Sequence, residues 1–200
     1  MESRFTLHSP EGGWLRIEPL ALEHETLPLV SEEDRRRAAE LTSPERRRET
    51  LAWRALLYRE LGMISITYAP CGAPELPQGE GFIGVSHSRT QVALCYSPQA
   101  PCAVDIERED RHFERIKSRY LTSSEQQLSH HPAFLCIAWC AKECLYKLAR
   151  RRKLDLLRDL QLLKIQFTTP EQGAIECRLL DQYFTLNFRH IDPEWAVWKL

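Results

Sequence analysis

Ala103-Val104-Asp105-Ile106-Glu107, followed after a helix-rich stretch by Trp139-Cys140-Ala141-Lys142-Glu143-Cys144-Leu145-Tyr146-Lys147, decides how this chain is read. In the first segment apolar residues alternate with carboxylates, so Asp105 and Glu107 point to one side of an extended strand. In the second, Glu143 and Lys147 share one face of a helix. Two carboxylates on a strand, with a third and a lysine on a helix, can hold a hard cation against a phosphate. The combination points to phosphoryl-group chemistry.

Outward from these segments the chain alternates between strand and helix patterns. Phe134, Ile137, Ala138, Ala141, Leu145 and Leu148 give residues 133–151 a broad apolar helix face. Further helical patterns cover 112–120 and 123–130, and strand-like segments follow near 161–168, 174–180, 183–190 and 195–199. Upstream, a strand is expected at 13–20 and helix from Ser31 to Leu61, as two pieces. Ser43-Pro44-Glu45 starts the second piece, with Ser as the cap and Pro in the first turn, and Gly62 stops it. A short strand is expected at 64–68, a Pro- and Gly-rich loop from Ala69 to Gly81, and strands Phe82 to Ser86 and Gln91 to Tyr96 around a hairpin connection. This order gives an α+β fold with mostly antiparallel strands.

Composition sets further bounds. The 200 residues are 43% hydrophobic and 28% charged, as in ordinary globular proteins. No apolar run reaches the length of a membrane span, and the first residues lack the apolar core of a secretory signal. A cytoplasmic protein without a membrane partner is expected. Seven cysteines form no spaced framework and are expected to be reduced. Cys136, Cys140 and Cys144 recur every fourth residue, which fits a buried helix face far better than a metal or redox site. The net charge of −1 excludes a generally basic nucleic-acid binder. Residues 31–60 hold eight arginines among seven acids, so most of them belong to a solvated, ion-paired helix surface.

Taken in order, Val85-Ser86-His87-Ser88, the strand Ala103 to Glu107 and the helix Trp139 to Lys147 resemble the 4′-phosphopantetheinyl transferase superfamily. The likeness is to its longer, surfactin-synthetase-activating type. Its patterns are an apolar residue then Ser-His-Ser, Gly-x-Asp-x-Glu, and Trp-[Ser/Thr/Cys]-x-Lys-Glu-x-x-x-Lys. Arg119-Tyr120-Leu121-Thr122-Ser123-Ser124-Glu125 and the arginine-rich Arg47-Arg48-Glu49 to Leu57 resemble further family stretches. Two positions depart: Ala103 stands in place of glycine, and Gly72-Ala73-Pro74 replaces Gly-Lys-Pro, whose lysine helps to hold coenzyme A in the family.

The resemblance implies two similar lobes related by a pseudo-twofold, residues 1–100 and 101–200, each a long helix on a mostly antiparallel sheet. It implies a monomer that transfers 4′-phosphopantetheine from coenzyme A to a serine of an apo acyl or peptidyl carrier protein, releasing 3′,5′-ADP. Magnesium would be held by Asp105, Glu107 and Glu143. Glu143, Lys147 and Asp105 would carry catalysis, and Ser86, His87, Arg47 and Arg54 would contact coenzyme A. Glu125 would support the site as an outer carboxylate, and Trp139 would pack to fix the helix. Three other readings compete: a catalytically silent relative that binds coenzyme A or a carrier, a nucleic-acid binder using the arginine runs, and a metal-dependent phosphohydrolase. The altered loop at Ala73 favours the silent relative, and the intact carboxylates argue against it. The other two lack a basic aromatic stripe and a phosphatase motif.

Overall fold

A computed structural model of the chain describes residues 4–200. In chain order the elements are β1 (Phe5–His8), β2 (Trp14–Pro19), α1 (Glu23–Thr26), α2 (Glu32–Ala39), α3 (Pro44–Leu61), β3 (Thr67–Tyr68), β4 (Pro74–Glu75), β5 (Phe82–His87), β6 (Gln91–Ser97), β7 (Ala103–Arg108), α4 (Phe113–Ile116), α5 (Phe134–Ala149), β8 (Leu160–Thr169), β9 (Gln172–Leu179), β10 (Gln182–Ile191) and β11 (Glu194–Lys199).

The helix starts follow from their caps. The Ser31 and Ser43 hydroxyls accept the amides of Asp34 at 3.1 Å and Arg46 at 3.3 Å, filling orphan donors of α2 and α3. Gly62 takes φ +77° just past Leu61, where a side chain would be strained, and α3 ends there. Two expected elements shrink. The strand at 64–68 is only Thr67–Tyr68, paired with Pro74–Glu75, because Pro74 has no amide to extend the ladder. The helices expected at 112–120 and 123–130 reduce to α4 and two single 3-10 turns. Between those turns Thr122 and Glu125 bond each other's backbone amides, at 2.8 and 3.2 Å, which competes with helix continuation.

The strands form one sheet in the order β1-β2-β6-β5 and another in the order β7-β11-β10-β9-β8, with antiparallel neighbours throughout. Side chains alternate between the two faces of each strand, and the strands β6, β7 and β11 are buried on both, which defines the layers. Val92 and Leu94 of β6 pack with Trp53, Leu56 and Leu57 of α3. Ala93 and Cys95, on the opposite face, pack with Leu15 and Ile17 and with Val104, Ile106, Ala196 and Trp198 of the second sheet. The other face of that sheet, including Ala103, Val197 and Leu160, meets Ile137, Cys140, Ala141, Cys144 and Leu145 of α5. The order is helix, sheet, sheet, helix. Cys136, Cys140 and Cys144 all lie in the α5 core, as their spacing anticipates.

Edge strands β5 and β7 lie side by side where the sheets meet. A Cβ on Gly84 would come within 2.7 Å of Cys95 Sγ and 2.8 Å of Ala103 Cα, so only glycine admits this approach. Gly84→Ala is therefore expected to lower stability by about 1–3 kcal/mol through overpacking. A urea unfolding midpoint equal to that of the parent would contradict the close approach.

Candidate active site

The β5–β7 junction places Asp105 opposite Ser86. Asp105 shares strand parity with Ala103, so its side chain lies on the α5 side of the sheet. Its Oδ1 accepts Ser86 Oγ at 2.8 Å and Lys147 Nζ at 2.8 Å. Lys147 Nζ also donates to the Val104 carbonyl at 2.8 Å. Burial works against the Lys147 ammonium, but the Asp105 charge and hydrogen bond outweigh it and raise its pKa. Ser86 is itself buried, and its hydroxyl is committed to Asp105 while accepting the Ile106 amide at 3.4 Å.

Glu143 stands one turn before Lys147, within electrostatic reach of Asp105 and Glu107. Burial raises its pKa, as does the Asp105 charge, against the pull of Lys147. Burial likewise raises Glu107, with Asp105 adding to it, while Arg111 and Trp139 oppose by hydrogen bonding. Glu107 is ion-paired with Arg111. Trp139 packs edge-on to Tyr120 at 5.2 Å and near Phe113 at 6.3 Å, which fixes the rotation of α5.

These groups suit a hard cation in part. Asp105 Oδ2 is buried and has no hydrogen-bond partner, and the Asp105 charge adds to the burial that raises the proton affinity of Glu107 and Glu143. Among the described residues, however, no three His, Cys, Asp or Glu side chains already converge on a point that would hold a metal ion. The fit is that of an oxygen-only site completed by water and phosphate oxygens.

Two openings are lined by neighbours of Asp105 and Ser86. A cleft of about 660 Å³ is lined by Glu49, His87, Ser88, Arg89, Glu107, Arg108 and Arg111. A groove of about 270 Å³ is lined by Ala73, Pro74, Val85, Tyr146, Lys147, Arg150 and Arg151. Val85 and His87 are two apart on β5 and share a face, so one extended ligand can reach both openings. The loop position Ala73 carries no charge, yet the groove still holds three cations, all from the end of α5 and the residues after it.

His87 Nδ1 lies 3.2 Å from Glu49 Oε1. Burial lowers the imidazole from its ordinary value of 6.5, Lys147 and Arg46 act in the same direction, and Glu49 and Asp105 oppose. Arg46 and Glu49 were not singled out by sequence. Their spacing of three puts them on one face of α3, which periodicity could have shown. Arg47 and Arg54, seven apart, share a different face. Arg54 is buried, 3.2 Å from Asp34, and bonds Tyr68 at 3.3 Å. Arg47 donates to the Leu41 carbonyl at 3.1 Å and approaches Glu23 at 3.9 Å.

Lys142 and Glu125 belong to the core instead. Lys142 is fully buried, and its ammonium donates to Glu125 Oε1, to the Leu156 carbonyl at 2.9 Å and to the Leu160 carbonyl. Burial lowers its pKa against the pull of Glu125. The pair ties α5 to β8, and Glu125 also accepts the Leu162 amide at 2.8 Å. Neither residue reaches Asp105 through any of these bonds. The α5 thiols are poor metal ligands as they stand, because burial pushes Cys140 and Cys144 up.

Residues 101–197, just under half of the chain, match the family model of the 4′-phosphopantetheinyl transferase superfamily. That stretch contains Asp105, Glu107, Glu143 and Lys147, and the match supports the superfamily-level reading of the motifs. No curated protein matches the chain by sequence. Among the described residues no helix is long and apolar enough to cross a membrane.

Lys142→Ala would leave Glu125 buried without its cation, and a stability loss of about 3–5 kcal/mol is expected by urea unfolding. A variant as stable as the parent would contradict the buried pair. For His87, the folded protein disfavours the imidazolium. Its contribution to stability is thus present above 6.5 and is lost as pH falls through the lower folded value. A proton-carbon NMR titration of the imidazole is expected to give a midpoint below 6.5, and one at or above 6.5 would contradict this environment.

Proposed function

We propose that the chain transfers the 4′-phosphopantetheine group of coenzyme A to a serine hydroxyl of an apo acyl or peptidyl carrier protein, in the manner of the longer, surfactin-synthetase-activating type. The observation that carries this reading is the Asp105 carboxylate. One of its oxygens is held by Ser86 and Lys147, and the other is buried and unpartnered, while Lys147 lines a groove that also holds Arg150 and Arg151, and Glu107 and His87 line a cleft. The family match over residues 101–197 supports a transferase.

In the reaction the serine oxygen forms a bond to the phosphorus that bears pantetheine. The pyrophosphate P–O bond breaks, and 3′,5′-ADP leaves with the electron pair. Glu143, or a water beside it, takes the serine proton. Lys147, held protonated by Asp105, places positive charge beside the diphosphate. Asp105, Glu107 and Glu143 would hold a magnesium ion, which when bound supplies charge neutralisation on the pyrophosphate. His87 contacts the nucleotide side. Arg47 and Arg54 would join it at the phosphates, although their guanidinium groups also engage the Leu41 carbonyl and Asp34, and Arg46 adds positive charge near His87. Ser86 acts by orienting Asp105.

Residues 1–100 and 101–200 form the two lobes of this reading, each with a sheet backed by a long helix, and a single chain completes the site as a monomer. The uncharged Ala73 in the groove wall favours one alternative, a silent relative that binds coenzyme A without transfer.

The test is mass-spectrometric and fluorescent detection of the pantetheine adduct on a panel of apo-carriers. Asp105→Ala and Glu143→Ala are each expected to lower transfer by a factor on the order of 10² to 10⁴ while the fold persists. EDTA is expected to stop the reaction and magnesium to restore it. Full activity in both variants would overturn the assignment, and tight coenzyme A binding without labelling would identify the silent relative.

A further inference from the structure

One buried polar cluster takes no part in the transfer chemistry above. Glu194, at the start of β11, is fully buried. Its Oε1 accepts Ser88 Oγ at 2.7 Å and the Thr90 hydroxyl, while Oε2 is buried without a partner. Ser88 Oγ in turn accepts the amides of Thr90 at 3.1 Å and Gln91 at 3.0 Å. The Gln91 side chain donates to the Asp192 carbonyl at 3.3 Å.

Burying a carboxylate is unfavourable unless its oxygens find donors, and here one oxygen finds none. An apolar side chain would fill a strand position without that penalty, so packing alone does not account for a glutamate. What it does is specific. Hydroxyl-to-carboxylate bonds are short and directional. These two reach from the second sheet to the hairpin turn that joins β5 to β6 in the first. The turn begins directly after His87 and contains Arg89, and both residues line the 660 Å³ cleft. Arg108, the ladder partner of Glu194, lines the cleft from the other sheet.

We propose that Glu194 is a positioning residue: by gripping Ser88 and Thr90 it fixes the 88–91 turn against β11 and so sets His87 and Arg89 in the wall that receives the anionic part of the ligand. The ligand's identity as coenzyme A rests on the transfer reading; the grip on the turn does not. Asp105 lies on β7, and Glu143 and Lys147 lie on α5, so a slack turn weakens capture of coenzyme A and leaves the chemical step intact.

Steady-state transfer by Glu194→Ala, Glu194→Gln and the double variant Ser88→Ala with Thr90→Ala provides the test, together with the His87 imidazole cross-peak in each folded protein. Glu194→Ala is expected to raise KM for coenzyme A about tenfold or more, the loss of roughly one good hydrogen-bonded contact, with kcat within about threefold of the parent. Its His87 cross-peak is expected to move. Glu194→Gln keeps an acceptor for both hydroxyls and is expected to restore KM and the cross-peak. The double variant, with Glu194 intact, is expected to repeat the Ala phenotype and decides the matter if Glu194→Ala fails to fold. An unmoved KM and cross-peak, or a loss confined to kcat, overturns the inference. If the parent labels no carrier, the transfer reading fails, and the cross-peak alone still decides whether Glu194 places His87.

Discussion

A single carboxylate oxygen joins the three parts of this molecule. Asp105 Oδ1 receives a hydroxyl from β5 and an ammonium from α5 while sitting on β7. Each partner comes from a different stretch of chain, and each would be costly to bury without the others. The arrangement exists only if two sheet edges approach closely, and Gly84 against Ala103 permits that approach. The apolar packing of the two sheets and the contacts of Trp139, which fix the rotation of α5, bring the three partners together. The geometry leaves Oδ2 as the one acceptor of the group without a donor.

The features legible in the sequence are those set by short-range periodicity. Asp105 and Glu107 share a side because a strand has a period of two, and α3 starts at Ser43 because a hydroxyl can cap it. The four closing strands pair in sequence with one another as an antiparallel run, so their alternating pattern is local and legible. The stretch 112–130 failed because single helical turns are marginal without packing, and the local bonds of Thr122 and Glu125 won. Among the site residues, helix rotation was the missing quantity. The guanidinium groups of Arg47 and Arg54 engage the Leu41 carbonyl and Asp34, whereas the charge of Arg46 acts on His87, and only tertiary packing decides between neighbouring positions. Lys142 and Glu143 illustrate the same limit. Adjacent in the motif, they face the core and the site respectively. The grip of Glu194 on Ser88 spans more than a hundred residues and has no local signature at all.

Charge around the site is sorted by element. Carboxylates come from β7 and α5, and the cations nearest them come from α5, from the start of α3 and from the residues just beyond β7. Arg111 neutralises Glu107 and Lys147 neutralises Asp105, which leaves Glu143 as the member without a cation of its own at bonding distance among the described ion pairs. That asymmetry lies in the ion pairing alone, since burial raises the proton affinity of Glu107 as well as of Glu143. It arises from side-chain reach, since all three are partly or fully screened from water.

The layer order has a consequence for how the chain can be divided. The half that carries Asp105, Glu107 and Glu143 packs Val104, Ile106, Ala196 and Trp198 against the first sheet. Cut between β6 and β7, that half would expose a continuous apolar ribbon along the edge strand that most needs a neighbour. It would require a second copy of itself or another surface to remain soluble. The two halves are therefore one cooperative unit, and whatever selects for a working site also selects against their separation by recombination.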